Sequence, residues 1–458
     1  MPEFKDFTFP SSTGNNTIHV RKCIPETEPR GIVQIVHGIA EHIGRYEQFM
    51  SFLAEHGFIA VGNDHLGHGQ TALTPEELGI FSEKDGWKNA VSDLNILHDI
   101  MCTEYPGLPY IFFGHSMGSF LTRTYLIRYP DKPDLAILSG TGHQPKVVVK
   151  AGLTAAEAMV KMNGPAAPGD KLNKIAFGSY NDKYENVRTE FDWLCSDPDV
   201  VDKYIADEKC GFVPKTSMFR DMMSGIDFIT DPAQIAKMNR DTPVFFIAGW
   251  RDPVGDYGKG VTRAYKAFIK GGMKHVRIKL YPGARHELLN EPIRGEVMND
   301  VLEWIEGKLS SVKRKDRYSF YGWENADVSP VDPEFASVRD PRVLYDLLSP
   351  LWCEYTCAPR LRSQWSSDNR TLGQCSITAF LAQDIFGGKV YGVPREGGNF
   401  HCYNVVGDCV FDLTSEQFGD EKLNYEDNPE QLREVHFASD EKRERYEFLR
   451  DELKKYLS

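Results

Sequence analysis

The sequence predicts an α/β fold: a doubly wound, mostly parallel sheet with a helical lid inserted between two strands, then a small α+β domain. Three observations lead there. Continuous apolar runs at Gly31–Val36, Phe58–Gly62, Tyr110–Phe113, Asp134–Ser139 and Pro243–Gly249 alternate with helical stretches, and such runs mark strands covered on both faces. The alternation stops near Gly140 and resumes only at Pro243, leaving a helix-rich stretch broken by Gly164, Pro165, Pro168 and Gly169. From Trp352 the composition shifts toward cysteine and tryptophan. A chain of 458 residues exceeds what one core organises. The expected division is a first domain over 1–310 with its lid at about 141–240, a linker over 311–350, and a second domain over 351–458.

In order, Phe4–Phe9 and Thr17–Cys23 alternate in the β manner on either side of a turn-prone Ser-Thr-Gly-Asn-Asn, an antiparallel edge entering the sheet. Helices are expected over about Gly44–His56, Trp87–Cys102 and Ser119–Tyr129. Ala155–Met162 is amphipathic within the lid, His275–Tyr281 is a late strand, and Ile293–Leu309 closes the domain as a helix. The polar, basic run Ser310–Arg317 marks the boundary.

A net charge of -13 argues against a general nucleic-acid binder. No basic region followed by an apolar run opens the chain, and no segment reaches membrane-spanning length. A cytoplasmic protein without stable membrane insertion is therefore expected, its oligomeric state left open. Nine scattered cysteines suit free thiols. Cys353, Cys357, Cys402 and Cys409 are the alternative, a zinc site, but their spacings are not a repeated CxxC pair. Neither a metal nor another cofactor is expected.

The chemistry centres on Gly114-His115-Ser116-Met117-Gly118, a serine between two glycines where a strand meets a helix. That turn lifts a serine hydroxyl clear of a sheet and places the next backbone N–H at a helix N-terminus. Ser116 is the candidate nucleophile, with the Met117 amide as one oxyanion donor. Asp252 follows the Val244–Ala248 strand and His286 follows the Val276–Leu280 strand, in the order Ser, Asp, His that this fold uses. His286 is the candidate base and Asp252 its orienting acid, with Asp256 a competitor further from its strand end. The Ile39 amide, after His37-Gly38, is the candidate second oxyanion donor, and His37 braces that loop. If His286 must be neutral, activity should fall on the acid side near pH roughly 6.5.

His37-Gly-Ile-Ala-Glu-His-Ile-Gly-Arg-Tyr46, Asn63-Asp-His-Leu-Gly-His-Gly-Gln70, Gly114–Gly118, Arg251-Asp252 and His286-Glu287 together resemble the monoacylglycerol lipase and lysophospholipase group of serine α/β-hydrolases. The resemblance covers about residues 10 to 308. It implies hydrolysis of carboxylic esters with a single acyl chain through an acyl-enzyme, the partner being a small-molecule acyl ester. A serine peptidase of the same fold is the alternative. Phe177–Asn181 and Phe191–Leu194 look like the lids of bacterial members.

In the second domain, Gly373-Gln374-Cys375-Ser376 opens the apolar segment Ile377–Phe386. His401 heads a strand and Asp412 follows in the next. Cys375, His401 and Asp412 in that order suit a thiol site like that of papain-like and transglutaminase-like enzymes. Their alternatives are a buried core thiol and a hydrogen-bonded strand histidine, or a domain that only recruits a partner. Leu361–Phe418 resembles the YunG-like family of small bacterial proteins, and Glu441–Leu457 is expected as a charged terminal helix.

Overall fold

The computed structural model describes residues 2–311, 320–366, 369–419 and 421–457. The chain divides into two compact units, residues 1–312 and 313–458.

In the first unit an antiparallel hairpin, β1 (Glu3–Pro10) and β2 (Thr17–Ile24), pairs Phe4 with Cys23 and leads into β3 (Ile32–Val36). There follow α1 (Glu47–Glu55), β4 (Ile59–Asn63), α2 (Gly86–Glu104), β5 (Tyr110–His115), α3 (Met117–Arg128) and β6 (Leu135–Ser139). The insertion holds α4 (Lys146–Asn163), α5 (Asp170–Phe177), α6 (Pro198–Ala206), α7 (Thr216–Thr230) and α8 (Pro232–Ile235). β7 (Val244–Gly249), α9 (Lys259–Lys270), β8 (Val276–Tyr281) and α10 (Arg294–Ser311) complete the unit. The sheet order is β1-β2-β4-β3-β5-β6-β7-β8, parallel from β4 onward.

The apolar runs form strands because both sheet faces are covered. Successive side chains on a strand point to opposite faces, and Ile32, Val36, Tyr110 and Phe112 enter the core shared with α2, α3 and the lid. Val33, Ile35, Ile111 and Phe113 enter the opposite core, against α1 and α10. One polar residue inside is satisfied: Gln34 accepts from Tyr110 Oη at 2.6 Å and donates to the Leu94 carbonyl at 3.2 Å. From β3 the chain crosses to β4 on one side and later to β5 on the other, so strand order reverses between β3 and β5. Loops at the carboxyl ends of such a switch point form the crevice where open α/β sheets bind ligands.

The second unit contains α11 (Pro341–Leu348), α12 (Cys375–Phe386), and an antiparallel sheet of β9 (Lys389–Arg395), β10 (Asn399–Val406) and β11 (Cys409–Phe411), ordered β11-β10-β9. Two further helices follow, α13 (Arg433–His436) and α14 (Asp440–Leu457). The linker expected over 311–350 is corrected here. Phe320, Phe335, Val338 and Leu344 are buried with Phe380, Phe411 and Leu449 in this unit's core, so residues 320–350 belong to the unit. Of the basic run expected at the boundary, residues 312–317 lie outside the described residues.

Candidate active site

Ser116 sits between β5 and α3 with φ 54° and ψ -123°, a backbone state that a non-glycine residue holds only under constraint. The constraint is local. The Ser116 amide donates to the Ser139 carbonyl at 2.9 Å, and Ser119 Oγ donates to the Ser116 carbonyl at 2.6 Å. A Cβ at Gly118 would lie 1.9 Å from the Val36 carbonyl oxygen, and one at Gly114 would lie 2.4 Å from Thr122 Oγ1. Both glycines are therefore required for α3 to cross so close to β3.

Asp252, fully buried on the loop after β7, accepts from the Val254 amide at 2.9 Å, while its Oδ2 lies 3.0 Å from His286 Nδ1. Asp256, the competitor, points elsewhere and pairs with Arg263 at 3.1 Å. Burial pulls His286 down, but the Asp252 carboxylate outweighs it and raises the imidazole above its ordinary value. Nε2 of the same ring is buried and makes no hydrogen bond among the described residues. Ser116 and His286 line one cavity of about 710 Å³ together with Gly38, Ile39 and His115. Burial, then the neighbouring His286, holds His115 well below the usual histidine range. Its ring stays neutral, with its centroid 4.6 Å from that of His286.

The Ile39 loop is braced from two sides. His37 Nε2 accepts from the His65 amide at 3.1 Å, which fixes the proton on Nδ1 for the Gly38 carbonyl at 2.8 Å. On the other side Glu41 Oε1 accepts from the Gly38 amide at 2.6 Å and from Tyr46 Oη at 2.9 Å. Arg45 joins Glu41 Oε2 at 2.9 Å to both oxygens of Glu287 at 2.6 and 2.7 Å. Burial alone would raise Glu287, but Arg45 holds it at about 2. This buried triad ties the Ile39 loop to the residue after His286. Sequence reasoning quoted these residues in its motifs but gave them no role.

The lid closes over the same point. The Glu287 amide donates to the Leu194 carbonyl at 2.8 Å, and the Trp193 ring centroid lies 5.1 Å from that of His286. Trp193 lines both the first cavity and a second of about 740 Å³, which Ser116 and Met117 also line beside Phe120, Val149, Leu172 and Met222.

In the second unit, His401 Nε2 lies 2.5 Å from Asp412 Oδ2, both side chains buried. Asp412 also accepts from the Thr414 amide at 3.0 Å and from Tyr425 Oη at 2.9 Å. Cys375 is the first residue of α12, its Sγ 4.0 Å from the Phe400 carbonyl, and Cys402 and His401 are the groups that act on it electrostatically. The four cysteines considered for zinc do not form a cluster of ligands among the described residues.

Residues 27–293 match the family described as serine aminopeptidase, S33, and residues 340–458 match the family described as YunG protein. The monoacylglycerol lipase of Mycolicibacterium smegmatis is 30% identical over 289 residues, spanning 62% of this chain and 91% of the relative. The uncharacterized protein YunG of Bacillus subtilis is 32% identical over 96 residues, 21% of this chain and 80% of the relative. A solved structure of a thermostable carboxyl esterase from Bacillus coagulans, in complex with glycerol, aligns with a TM-score of 0.63 at 32% identity. That alignment covers 67% of this chain and 99% of the esterase.

Proposed function

The chain belongs to the serine aminopeptidase S33 family of α/β-hydrolases, with a YunG-family unit following, and from that premise we propose that its first unit hydrolyses carboxylic esters of single-acyl-chain lipids. Monoacylglycerols and lysophospholipids are the substrate classes. The observation that carries this reading is that Ser116 borders two cavities of unlike character. One is lined mainly by apolar side chains such as Phe120, Val149, Leu172 and Met222, and suits an acyl chain. The other carries Asn173, Lys174, Arg188 and Glu190, and suits a polar alcohol.

In this reading His286 Nε2 takes the Ser116 proton as Oγ attacks the ester carbonyl. Asp252 keeps the ring's other proton on Nδ1 and stabilises the imidazolium. The Ile39 and Met117 amides receive the oxyanion, with the Gly38–Ile39 peptide held at its carbonyl by His37 Nδ1 and the peptide before it held at the Gly38 amide by Glu41. His286 then protonates the departing alcohol, and water repeats the sequence on the acyl-enzyme.

Peptide hydrolysis by the same groups is the competing reading. An aminopeptidase needs an anion for the substrate's ammonium group; of the carboxylates lining this cavity, Glu41 and Glu287 are both engaged by Arg45, which leaves Asp170 and Glu190 on the lid for that role. The test is turnover of 1-monoacylglycerols and p-nitrophenyl acyl esters against aminoacyl anilides. Esters should be cleaved by wild type and lost in Ser116→Ala, by roughly 10⁴-fold or more. Efficient anilide cleavage with inert esters would reverse the substrate class.

A further inference from the structure

We propose that Cys375, His401 and Asp412 form a second acyl-transfer site, in which the Cys375 sulfur takes an acyl group from a carboxamide and His401 delivers a proton to the departing amine. The site lies wholly within the second unit and is independent of Ser116.

The geometry divides the work. Cys375 opens a helix of 12 residues, where unpaired backbone N–H groups favour a negative sulfur. Sγ lies 4.0 Å from the Phe400 carbonyl, which sets the thiol against the start of β10. There β10 lacks a partner on its β11 side, since β11 pairs only with Asn404, Val405 and Val406. His401 commits Nε2 to Asp412 at 2.5 Å, leaving Nδ1 as the nitrogen that faces the thiol. Gln417 Nε2 borders that nitrogen at 3.5 Å. Asp412 is itself held by the Thr414 amide and Tyr425 Oη, so it positions the ring rather than touching the thiol. Cys375 is half-buried, whereas Cys402 and Cys357 are buried.

Electrostatics agree with this arrangement. Hydrogen bonding from Cys402, then from His401, draws the Cys375 thiol well below the ordinary cysteine range against the effect of burial. Burial pulls His401 down, but Asp412 and Cys375 raise it to about 10. In contrast, burial pushes Cys23 up to about 11 and Cys195 up to about 12, as expected of inert core thiols. The other titratable or charged groups facing the pair are Cys402 on β10, Asp412 and Tyr425 beside it, His436 on α13 and Lys442 on α14. A buried, hydrogen-bonded His–Asp pair beside a half-buried thiol is an arrangement whose desolvation cost suits function better than stability.

The step balances without a co-reactant beyond water. The thiolate attacks the carbonyl carbon, an S–C bond forms, and the carbonyl electron pair moves to oxygen. When that pair returns, the C–N bond breaks and the amine leaves with the Nδ1 proton. Water then attacks the thioester, gives its proton to His401, and the sulfur departs as thiolate.

The experiment uses the full chain carrying Ser116→Ala, with p-nitrophenyl acetate as the probe. p-Nitrophenolate needs no proton to leave, so the probe reports the sulfur directly. At pH 6 a burst of about one equivalent should appear, with the acetyl group mapped to the Cys375 peptide by mass spectrometry. Adding Cys375→Ala should remove it. Adding His401→Gln should slow acetylation at pH 6 by roughly 100-fold while leaving the rate at pH 9 within a few-fold, because an ordinary thiol ionises near pH 8.5. Circular dichroism checks that each variant is folded. Acetylation absent from Cys375, or falling tenfold per pH unit below 8 in the His401-intact protein, would overturn the proposal.

Discussion

His286 faces the Asp252 carboxylate and lines one cavity with Ser116, and its titration follows from the first of these. Asp252 raises the imidazole, so the neutral ring that the proposed mechanism uses as base appears only above the ordinary histidine value. The acid limb of kcat/KM should therefore centre above pH about 6.5, the value expected from an unperturbed histidine. Asp252→Asn removes the raising charge and leaves burial, which shifts the limb to lower pH while kcat falls roughly 10⁴-fold. A limb centred in the carboxylate range in wild type would contradict the assignment of His286 as base. Ser116, Asp252 and His286 were legible in the sequence because each follows an unmistakable strand, and Gly114 and Gly118 announce a turn that no Cβ can enter. Glu41, Arg45 and Glu287 were not, since Arg45 and Glu287 lie 242 residues apart and meet only through the fold.

At the scale of elements, the loops after β3 and β8 act as one piece because Arg45 holds Glu41 on the first and Glu287 on the second. Arg45→Met would leave two buried carboxylates without their cation. The expected cost is about 3–5 kcal/mol in urea unfolding, with kcat reduced because Glu41, whose carboxylate holds the Gly38 amide next to the Ile39 donor, loses its cation. A stability change below about 1 kcal/mol, within the range of an exposed pair, would mean the triad is not the brace described. The central parallel strands were legible because both their faces are buried, which gives unbroken apolar runs. α9 escaped although its buried Val261, Ala264 and Phe268 fall at helical spacing, because the helix is short and opens out of the glycine-rich stretch 255–260. The stretch 320–350 escaped for a related reason. Phe320, Phe335 and Val338 sit singly among Asp, Pro and Ser, without a helical or strand period, and are buried only through long-range packing, Phe320 against Tyr345 and Phe411 among others.

At the scale of the whole molecule, two units each carry a core and a nucleophile candidate, Ser116 in one and Cys375 in the other. The division itself was legible from the change in composition. The second unit's extent was not, because between Phe320 and Val338 the buried residues follow no regular period, and α11 is the first periodic element of the stretch. None of the described helices is long and apolar enough to cross a membrane. The central claim is that ester turnover passes through an acyl group on Ser116. The measurement that tests it most directly is rapid acid quenching of the wild-type chain with p-nitrophenyl octanoate during the first turnover, followed by peptide mass mapping. An octanoyl group on the peptide containing Ser116, appearing with the burst of p-nitrophenolate, is the predicted result. Release of p-nitrophenolate with Ser116 unmodified would contradict it.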